Sequence, residues 1–368
     1  MTAVTRRGRR ISGAVYLLGA GGATLALTSP LSAQASGAAA LDVFGIELGV
    51  RAGLALFLFG VTLLADALKR LAGDRMRGLL ERFTTNRFAG VATGTAATTL
   101  LDSSSVTIIM VIALVDAGVL AFTRSLGVIL GANIGTTISS QIIALDIDRY
   151  APLALVLGLL FTALGGSRRQ KQAGRVILGI GLVFYGLGEM DQAVSPLKDQ
   201  QSFIDWMVRL ENPLLGAAVG ALVTIVIQSS SATLGIVITL AGQGLLTLPA
   251  GIALMLGAEI GTCADTLLAC IGRSRAALRA GVFHLMFNVT TVAIGLMLTR
   301  EIATLAQRIT PGAGIERFVA NAHVLFNVAG VLIVLPFLPL IARGLYQLIP
   351  DARRETRRVP SQVPQTSE

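Results

Sequence analysis

The chain has 368 residues, 53% of them hydrophobic and only 14% charged, with a mean hydropathy of +0.73. That balance excludes an ordinary soluble domain and predicts an all-α polytopic membrane protein, because long apolar runs recur without strand-like alternation. Lys and Arg total 30 against 21 acids, but in a membrane chain this excess reports topology first, so it predicts no nucleic-acid partner.

Residues 1–35 begin with Arg6, Arg7, Arg9 and Arg10, continue with an apolar stretch from Ile11 to Thr28 and reach Ala33-Gln34-Ala35, the pattern of a cleaved signal peptide or an extra N-terminal span. The first secure span is Ile46 to Asp66, followed by a basic block from Lys69 to Arg87. The apolar region Phe88 to Val115 is interrupted by Asp102-Ser103-Ser104-Ser105, leaving about 10–14 residues on each side, short of the roughly 20 that cross a bilayer. A re-entrant helical hairpin with the serines at its tip fits better than one continuous span. Spans then follow at Phe122 to Leu145 and Tyr150 to Gly166, and a basic block from Arg168 to Arg175 precedes the span Val176 to Ala193. After a charged linker, a second hairpin is expected over Pro213 to Leu240 with Gln228-Ser229-Ser230-Ser231 at its tip. Spans near Leu248 to Ile271 and Leu278 to Leu298 are divided by Arg273, Arg275 and Arg279, and a last one covers Phe318 to Ile341. The cysteines, Cys263 and Cys270, sit on one apolar stretch and read as packing residues.

The two serine runs stand 126 positions apart (102 to 228), and the same offset relates Gly53 to Gly179, Gly60 to Gly186, Asn86 to Asn212, Gly94 to Gly220 and Thr98 to Thr224. It also relates Gly131-Ala132-Asn133-Ile134-Gly135-Thr136 to Gly257-Ala258-Glu259-Ile260-Gly261-Thr262. An ungapped match over about 110 residues is an internal repeat. The organisation predicted is a first repeat over 46–166, a second over 176–300, a final spanning helix at 317–342 and a basic tail at 343–368. Three spanning helices and one re-entrant hairpin per repeat make the second copy inverted, with both tips near the midplane. Threaded this way, 23 of the 30 Lys and Arg fall on the cytoplasmic side with the C-terminus, as expected in a cell inner membrane.

At such a tip one half-helix ends and another begins. The unpaired N–H groups and positive dipole end of the second half, with rotatable serine hydroxyls, make an anion site. Ser103, Ser104, Ser105, Ser229, Ser230 and Ser231 are the candidate substrate ligands. Hydroxyl oxygens, tip carbonyls and the Gln228 amide can also ligate a hard cation such as sodium. Ser and Thr that only bond the preceding turn, and Gly that only lets helices approach, are the competing structural explanation. The His-x-x-Phe-Asn sequences at His284 and His323 read as interhelical hydrogen-bond partners. No acid–base pair, activated nucleophile or metal-ligand cluster stands out, so no enzyme and no cofactor are expected.

QSSSAT at 228–233, GANIGTT at 131–137, ENPLLG at 211–216, LKRLAGDRMRGLLERFT at 68–84 and the paired HxxFN sequences resemble the type II sodium/phosphate cotransporter family, including its bacterial branch, over roughly 46–342. The resemblance implies sodium-coupled uptake of inorganic phosphate. It extends the ion-coupling candidates to Asn133, Thr136 and Thr262. Three residues depart from the pattern: Asp102 stands where a glutamine is expected, Glu259 where an asparagine is, and Asp265 where a hydroxyl residue is usual. Carboxylates at membrane depth are costly and functional by default, so Asp102 and Glu259 join Gln228 as ion-coupling candidates. They leave open proton coupling or another anion as alternatives, beside a membrane phosphate sensor that moves nothing. Oligomeric state is not legible.

Overall fold

The computed structural model describes residues 42–351 except 83, 146 and 147. The leader or extra span expected at 1–35, and most of the 343–368 tail, lie outside the described residues. Regular structure among the described residues is helical throughout: α1 (Val43–Arg82), α2 (Arg87–Leu101), α3 (Ser104–Asp116), α4 (Phe122–Ile143), α5 (Ala151–Leu164), α6 (Arg168–Val194), α7 (Gln201–Arg209), α8 (Pro213–Ile227), α9 (Ser230–Gly242), α10 (Leu248–Gly261), α11 (Cys263–Leu268), α12 (Arg275–Met297), α13 (Thr299–Ile309), α14 (Ile315–Val334) and α15 (Leu338–Leu348). Six stretches of these are long and apolar enough to cross a membrane: Val43–Leu71, Phe122–Ile143, Arg168–Leu197, Leu248–Leu268, Arg275–Met297 and Ile315–Leu348. The protein is a multi-pass membrane protein.

Local sequence explains the helix boundaries. The Asn86 side chain accepts from the Ala89 N–H at 2.9 Å, and the Asn212 side chain accepts from Leu214 and Leu215 at 3.1 Å, so the paired asparagines start α2 and α8. Ser167 and Gln170 form a reciprocal capping box at the start of α6. The span expected over Tyr150–Gly166 is the 14-residue α5, about 21 Å long against a hydrocarbon core of about 30 Å. A 3-10 turn at Asp148–Tyr150 delays its start and Gly165 ends it. The stretch treated as a linker contains α7, where Arg209 lies 5.8 Å from the Trp206 ring centroid.

Close helix pairs are made by glycine. A Cβ at Gly94 would lie 2.1 Å from the Val128 carbonyl oxygen, and one at Gly131 would lie 2.0 Å from that of Val91, so α2 and α4 touch backbone to backbone. The same contact recurs 126 positions on, with Gly220 against Leu254 and Gly257 against Ala217, each at 2.0 Å, between α8 and α10. Between α1 and α6, a Cβ at Gly53 would lie 2.7 Å from the Gly186 oxygen and one at Gly60 2.9 Å from the Gly179 oxygen. Because the residue numbers rise in one helix as they fall in the other, this pair is antiparallel. α12 packs on α3 and α10, and α14 packs on α9 and α4.

Arg279, expected among the basic residues that divide two spans, is buried. Ser274 caps α12, so Arg279 is inside the helix and 1% exposed. Its Nε donates to the Ile349 carbonyl at 2.8 Å, its Nη2 to Asp351 at 2.6 Å, and its guanidinium sits 4.2 Å from the Tyr346 ring centroid. It therefore fastens α15 and the residues after it to the bundle. Arg279→Leu is expected to cost about 1–3 kcal/mol, because it leaves the Ile349 carbonyl unpaired beneath α15. Thermal melting of the purified protein checks this, and an unchanged midpoint would remove the fastening role.

At the same end of the bundle the Ser274 N–H donates to the Asp116 carboxylate at 2.8 Å, which holds that carboxyl below its ordinary range. The Arg87 guanidinium donates to the Leu335 and Pro336 carbonyls, each at 3.3 Å. The start of α2 and the end of α3 are thus both anchored near the 273–274 and 335–336 turns. The corresponding end of α9 lies elsewhere: Gly242 and Gln243 border a cavity with Ile143, Asp191 and Glu316.

Candidate functional site

Each serine run is the seam between two short helices, α2 and α3 in the first case and α8 and α9 in the second. At 15 and 13 residues, the arms are each about 20–23 Å long. The residue in the seam is Asp102 (φ 50, ψ 35) or Gln228 (φ 59, ψ 30), and among the described residues these are the two non-glycine positions with positive φ. Left-handed backbone costs an L-residue about 1–2 kcal/mol, a strain that concentrates at functional positions. The next residue caps the second arm: the Ser103 and Ser229 hydroxyls accept from the Val106 and Ala232 N–H groups, each at 3.2 Å. Across the arms, Thr98 donates to Thr107 at 3.0 Å and Thr224 to Thr233 at 2.9 Å. The serine runs are therefore two copies of one device, a helix end and a helix start locked side by side.

The remaining serines face the other elements. Ser104 and Ser230, the first residues of α3 and α9, are buried. Ser105 shares a 3.0 Å hydrogen bond with the Thr262 hydroxyl and lies beside the Asp265 carboxyl group. Ser231 and Asp102 line one cavity of about 220 Å³, together with Thr99 and Ser139, and its other walls include Val61, Leu64, Ile138 and Val183. The Ser139 hydroxyl donates to Asp102 Oδ1. The cavity thus joins a residue of the first seam to one of the second.

Other candidates are placed differently. Asn133 donates to the Ile129 carbonyl at 3.0 Å and Thr136 to the Asn133 carbonyl at 2.8 Å, so both side chains bond within α4. Gln228 presents an exposed side chain at the second seam. Glu259 is 2% exposed and is held through Oε1 by His323 Nε2 at 2.8 Å and Asn327 Nδ2 at 3.3 Å. The histidine motifs act as interhelical partners, as their sequence suggested: His284 Nδ1 meets Thr266 Oγ1 and His323 Nδ1 meets Ser140 Oγ, both at 2.9 Å. Cys263 and Cys270 are buried and free.

Sequence reasoning missed Ser139 and Thr99. The 126-residue offset carried a usable clue, because it aligns Ser139 with Asp265 and Asp102 with Gln228. Each repeat therefore holds one carboxylate and one neutral residue at this pair of positions, with the order reversed.

The family described as Na+/Pi-cotransporter matches residues 56–192 and 200–328. A Bacillus subtilis protein, YqeW, described as uncharacterized, is 30% identical over 80% of this chain and 95% of its own length. The putative inorganic phosphate export protein YjbB of Escherichia coli strain K12 is 28% identical over 81% of the chain, which spans only 55% of that longer relative. Human sodium-dependent phosphate transport protein 2B is 33% identical over 36% of the chain and 20% of its own length. No solved structure matches. With the family match covering well over half of its length, the chain belongs to the Na+/Pi-cotransporter family, a family of transporters rather than enzymes.

Proposed function

We propose that the protein is a secondary active transporter of the cell membrane that couples sodium entry to uptake of inorganic phosphate, with both serine seams forming one substrate site. The observation that carries this reading is the cavity shared by Asp102 of the first seam and Ser231 of the second. Each seam sets the carbonyl-rich end of one helix beside the N–H-rich start of the next, so a cation and an anion can bind together and cancel each other's charge away from water. Sodium is assigned to Asp102, Gln228 and neighbouring carbonyls, and phosphate to Ser104, Ser230 and the N-termini they open. Asp102 in a mostly apolar cavity repels a lone phosphate, so sodium binds first. The relatives lend names to both ions: one is called sodium-dependent and another a putative phosphate exporter.

In this reading the two repeats are inverted and the hairpins re-entrant, with the C-terminus cytoplasmic. The α1–α6 contact supports inversion because it is reciprocal. Gly53 meets Gly186, which is Gly60 plus 126, and Gly60 meets Gly179, which is Gly53 plus 126. Such exchange of partners is the mark of a two-fold axis, and the antiparallel helices put that axis in the membrane plane. Anchoring of Arg87 and Asp116 at one end of the bundle, and of Gly242 beside Glu316, supports hairpins that enter and leave on their own side.

Radiolabelled phosphate flux in proteoliposomes under an imposed sodium gradient tests the function in both directions. Accumulation driven by sodium is expected. Absence of flux from folded protein under sodium and pH gradients alike would sink the transport reading, and phosphate binding without flux would make the protein a sensor. Ser104→Ala and Ser230→Ala are each expected to lower uptake about tenfold, the equivalent of one hydrogen bond to a charged group. Unimpaired uptake in both variants would return these serines to a packing role.

A further inference from the structure

We infer that the cavity beside Gly242 is the antechamber of the substrate site, and that Phe184 and Ile143 form the gate between the two. What passes the gate rests on the reading above, whereas the gate itself rests on the shape of the two cavities.

The antechamber holds about 240 Å³ and the site about 220 Å³. Ile143 and Phe184 stand in the walls of both, so at these two residues one cavity ends where the other begins. Three helices run from one to the other. On α6, Val176, Ile180 and Val183 line the site, and Leu187, Gly188 and Asp191 line the antechamber. Steps of three and four residues keep a single stripe of the helix along the whole route. On α9, Ser231 lines the site and Thr239 the antechamber, eight residues and about 12 Å of helix apart. α4 brings Ser139 to the site and ends at Ile143, which belongs to both walls.

Polarity changes twice along this route. The site offers Thr99, Asp102, Ser139 and Ser231, and the antechamber offers Asp191, Thr239, Gln243 and Glu316. Between them stand Ile143 and Phe184, with Leu187 and Ile238 on the antechamber side, and all but Ile143 are buried. Ile143 reaches from α4 to α9: a Cβ at Gly235 would lie 3.5 Å from its Cδ1, so α9 presents glycine where the isoleucine arrives. A narrow apolar neck of this kind holds back ions, because water is unstable in it and a charge cannot shed its hydration there. Isoleucine and phenylalanine both have rotatable side chains, so the neck can open without unwinding a helix.

The two ends of the bundle differ as alternating access requires. The 126-residue offset pairs Gly242 with Asp116. Asp116 accepts from the Ser274 N–H at 2.8 Å and meets Arg273 at 3.5 Å, which ties down the end of the first hairpin. Gly242 has no side chain to make such a bond and borders the antechamber, where a Cβ would lie 3.6 Å from Glu316. Passage at one end while the other is fastened is what keeps a transporter from acting as a channel.

Accessibility of introduced cysteines to a charged, water-soluble methanethiosulfonate reagent tests the gate in lipid nanodiscs, where both faces of the bilayer meet the reagent. Cys263 and Cys270 are buried, so the wild-type chain supplies the background rate. Thr239→Cys in the antechamber is expected to react readily, and Thr99→Cys in the site about tenfold more slowly, since the reagent must carry its charge past the apolar neck. Phe184→Ala and Ile143→Ala are each expected to raise the Thr99→Cys rate about tenfold and to leave that of Thr239→Cys unchanged. A Cβ at Gly188 would meet nothing within 4 Å, so a side chain there extends into open space. Gly188→Trp is therefore expected to return the Thr99→Cys, Phe184→Ala protein to its slow rate. The gate is overturned if Thr99→Cys with the neck intact reacts as fast as Thr239→Cys, if neither alanine speeds it, or if Gly188→Trp leaves the speeded reaction as it was. The first of these comparisons needs no gate variant, so it holds even where an alanine variant fails to fold. In proteoliposomes Gly188→Trp alone is expected to lower sodium-driven phosphate uptake about tenfold, and unimpaired uptake would place the route elsewhere. A wild-type protein without phosphate flux defeats the transport reading and leaves the labelling rates to decide the gate.

Discussion

Gly257→Val is expected to prevent recovery of folded protein. A Cβ at this position would lie 2.0 Å from the Ala217 carbonyl oxygen and 2.7 Å from its Cα, so the obstacle is helix backbone and not a side chain that can rotate away. Relief demands that α8 and α10 separate by more than 1 Å, roughly the gap between 2.0 Å and the 3.0 Å that real contacts respect. Overpacking a core by methylene groups costs about 1–3 kcal/mol, and a clash against rigid backbone exceeds that, to about 4 kcal/mol or more of a total stability of about 5–15 kcal/mol. Size-exclusion chromatography and thermal melting of the solubilised variant measure it. A monodisperse variant that melts with the wild type would show that the α8–α10 contact is not the constraint described. Gly257 lies two residues before Glu259 and packs against the first arm of the second hairpin, so the same contact sets where the Gln228 seam stands relative to α10.

The helical segments, the duplication and the two seams were legible because each leaves a local mark: hydropathy, a fixed offset, and three consecutive serines in apolar sequence. The hydropathy pattern overestimated the span at 150–166, since it ignores the 3-10 turn and glycines that shorten α5. It grouped Arg279 with the basic residues that divide two spans because charge alone marks a boundary, while the buried carbonyl of Ile349 that pairs with it is 70 residues away. Ser139 was invisible for a similar reason. Its importance comes from the turn of α4 that brings it to Asp102, 37 residues earlier, and nothing in its immediate neighbours announces that contact. The Glu259–His323 pair was legible as two separate oddities, a carboxylate and a histidine in apolar helices, but their meeting across 64 residues required the packing of α14 on α10.

Asp102→Asn is expected to raise the sodium concentration for half-maximal uptake by about tenfold to a hundredfold. Asparagine is chosen because it tolerates the left-handed backbone at φ 50 and keeps an oxygen for the Ser139 hydroxyl, so charge is the principal change. Two opposite charges about 4 Å apart interact by about 4 kcal/mol at an effective dielectric of 20, and hydration of the ion offsets a large part, leaving about 1–3 kcal/mol. The sign for phosphate is opposite. Removing a negative charge from the cavity lessens the repulsion of the anion, so the half-saturating phosphate concentration at saturating sodium should stay level or fall. Measuring both constants in one set of uptake curves separates these effects: a parallel rise of both would indicate a distorted seam, and an unchanged sodium constant would exclude Asp102 as its ligand. The reversed order of carboxylate and neutral residue between the repeats makes the result informative beyond one site. Asp265 occupies in the second repeat the place that Ser139 takes in the first, and it lies beside Ser105 of the opposite hairpin. Asp265→Asn should therefore leave the sodium constant less affected than Asp102→Asn if the coupling ion sits at the first seam, and equally affected if the two carboxylates serve one ion between them.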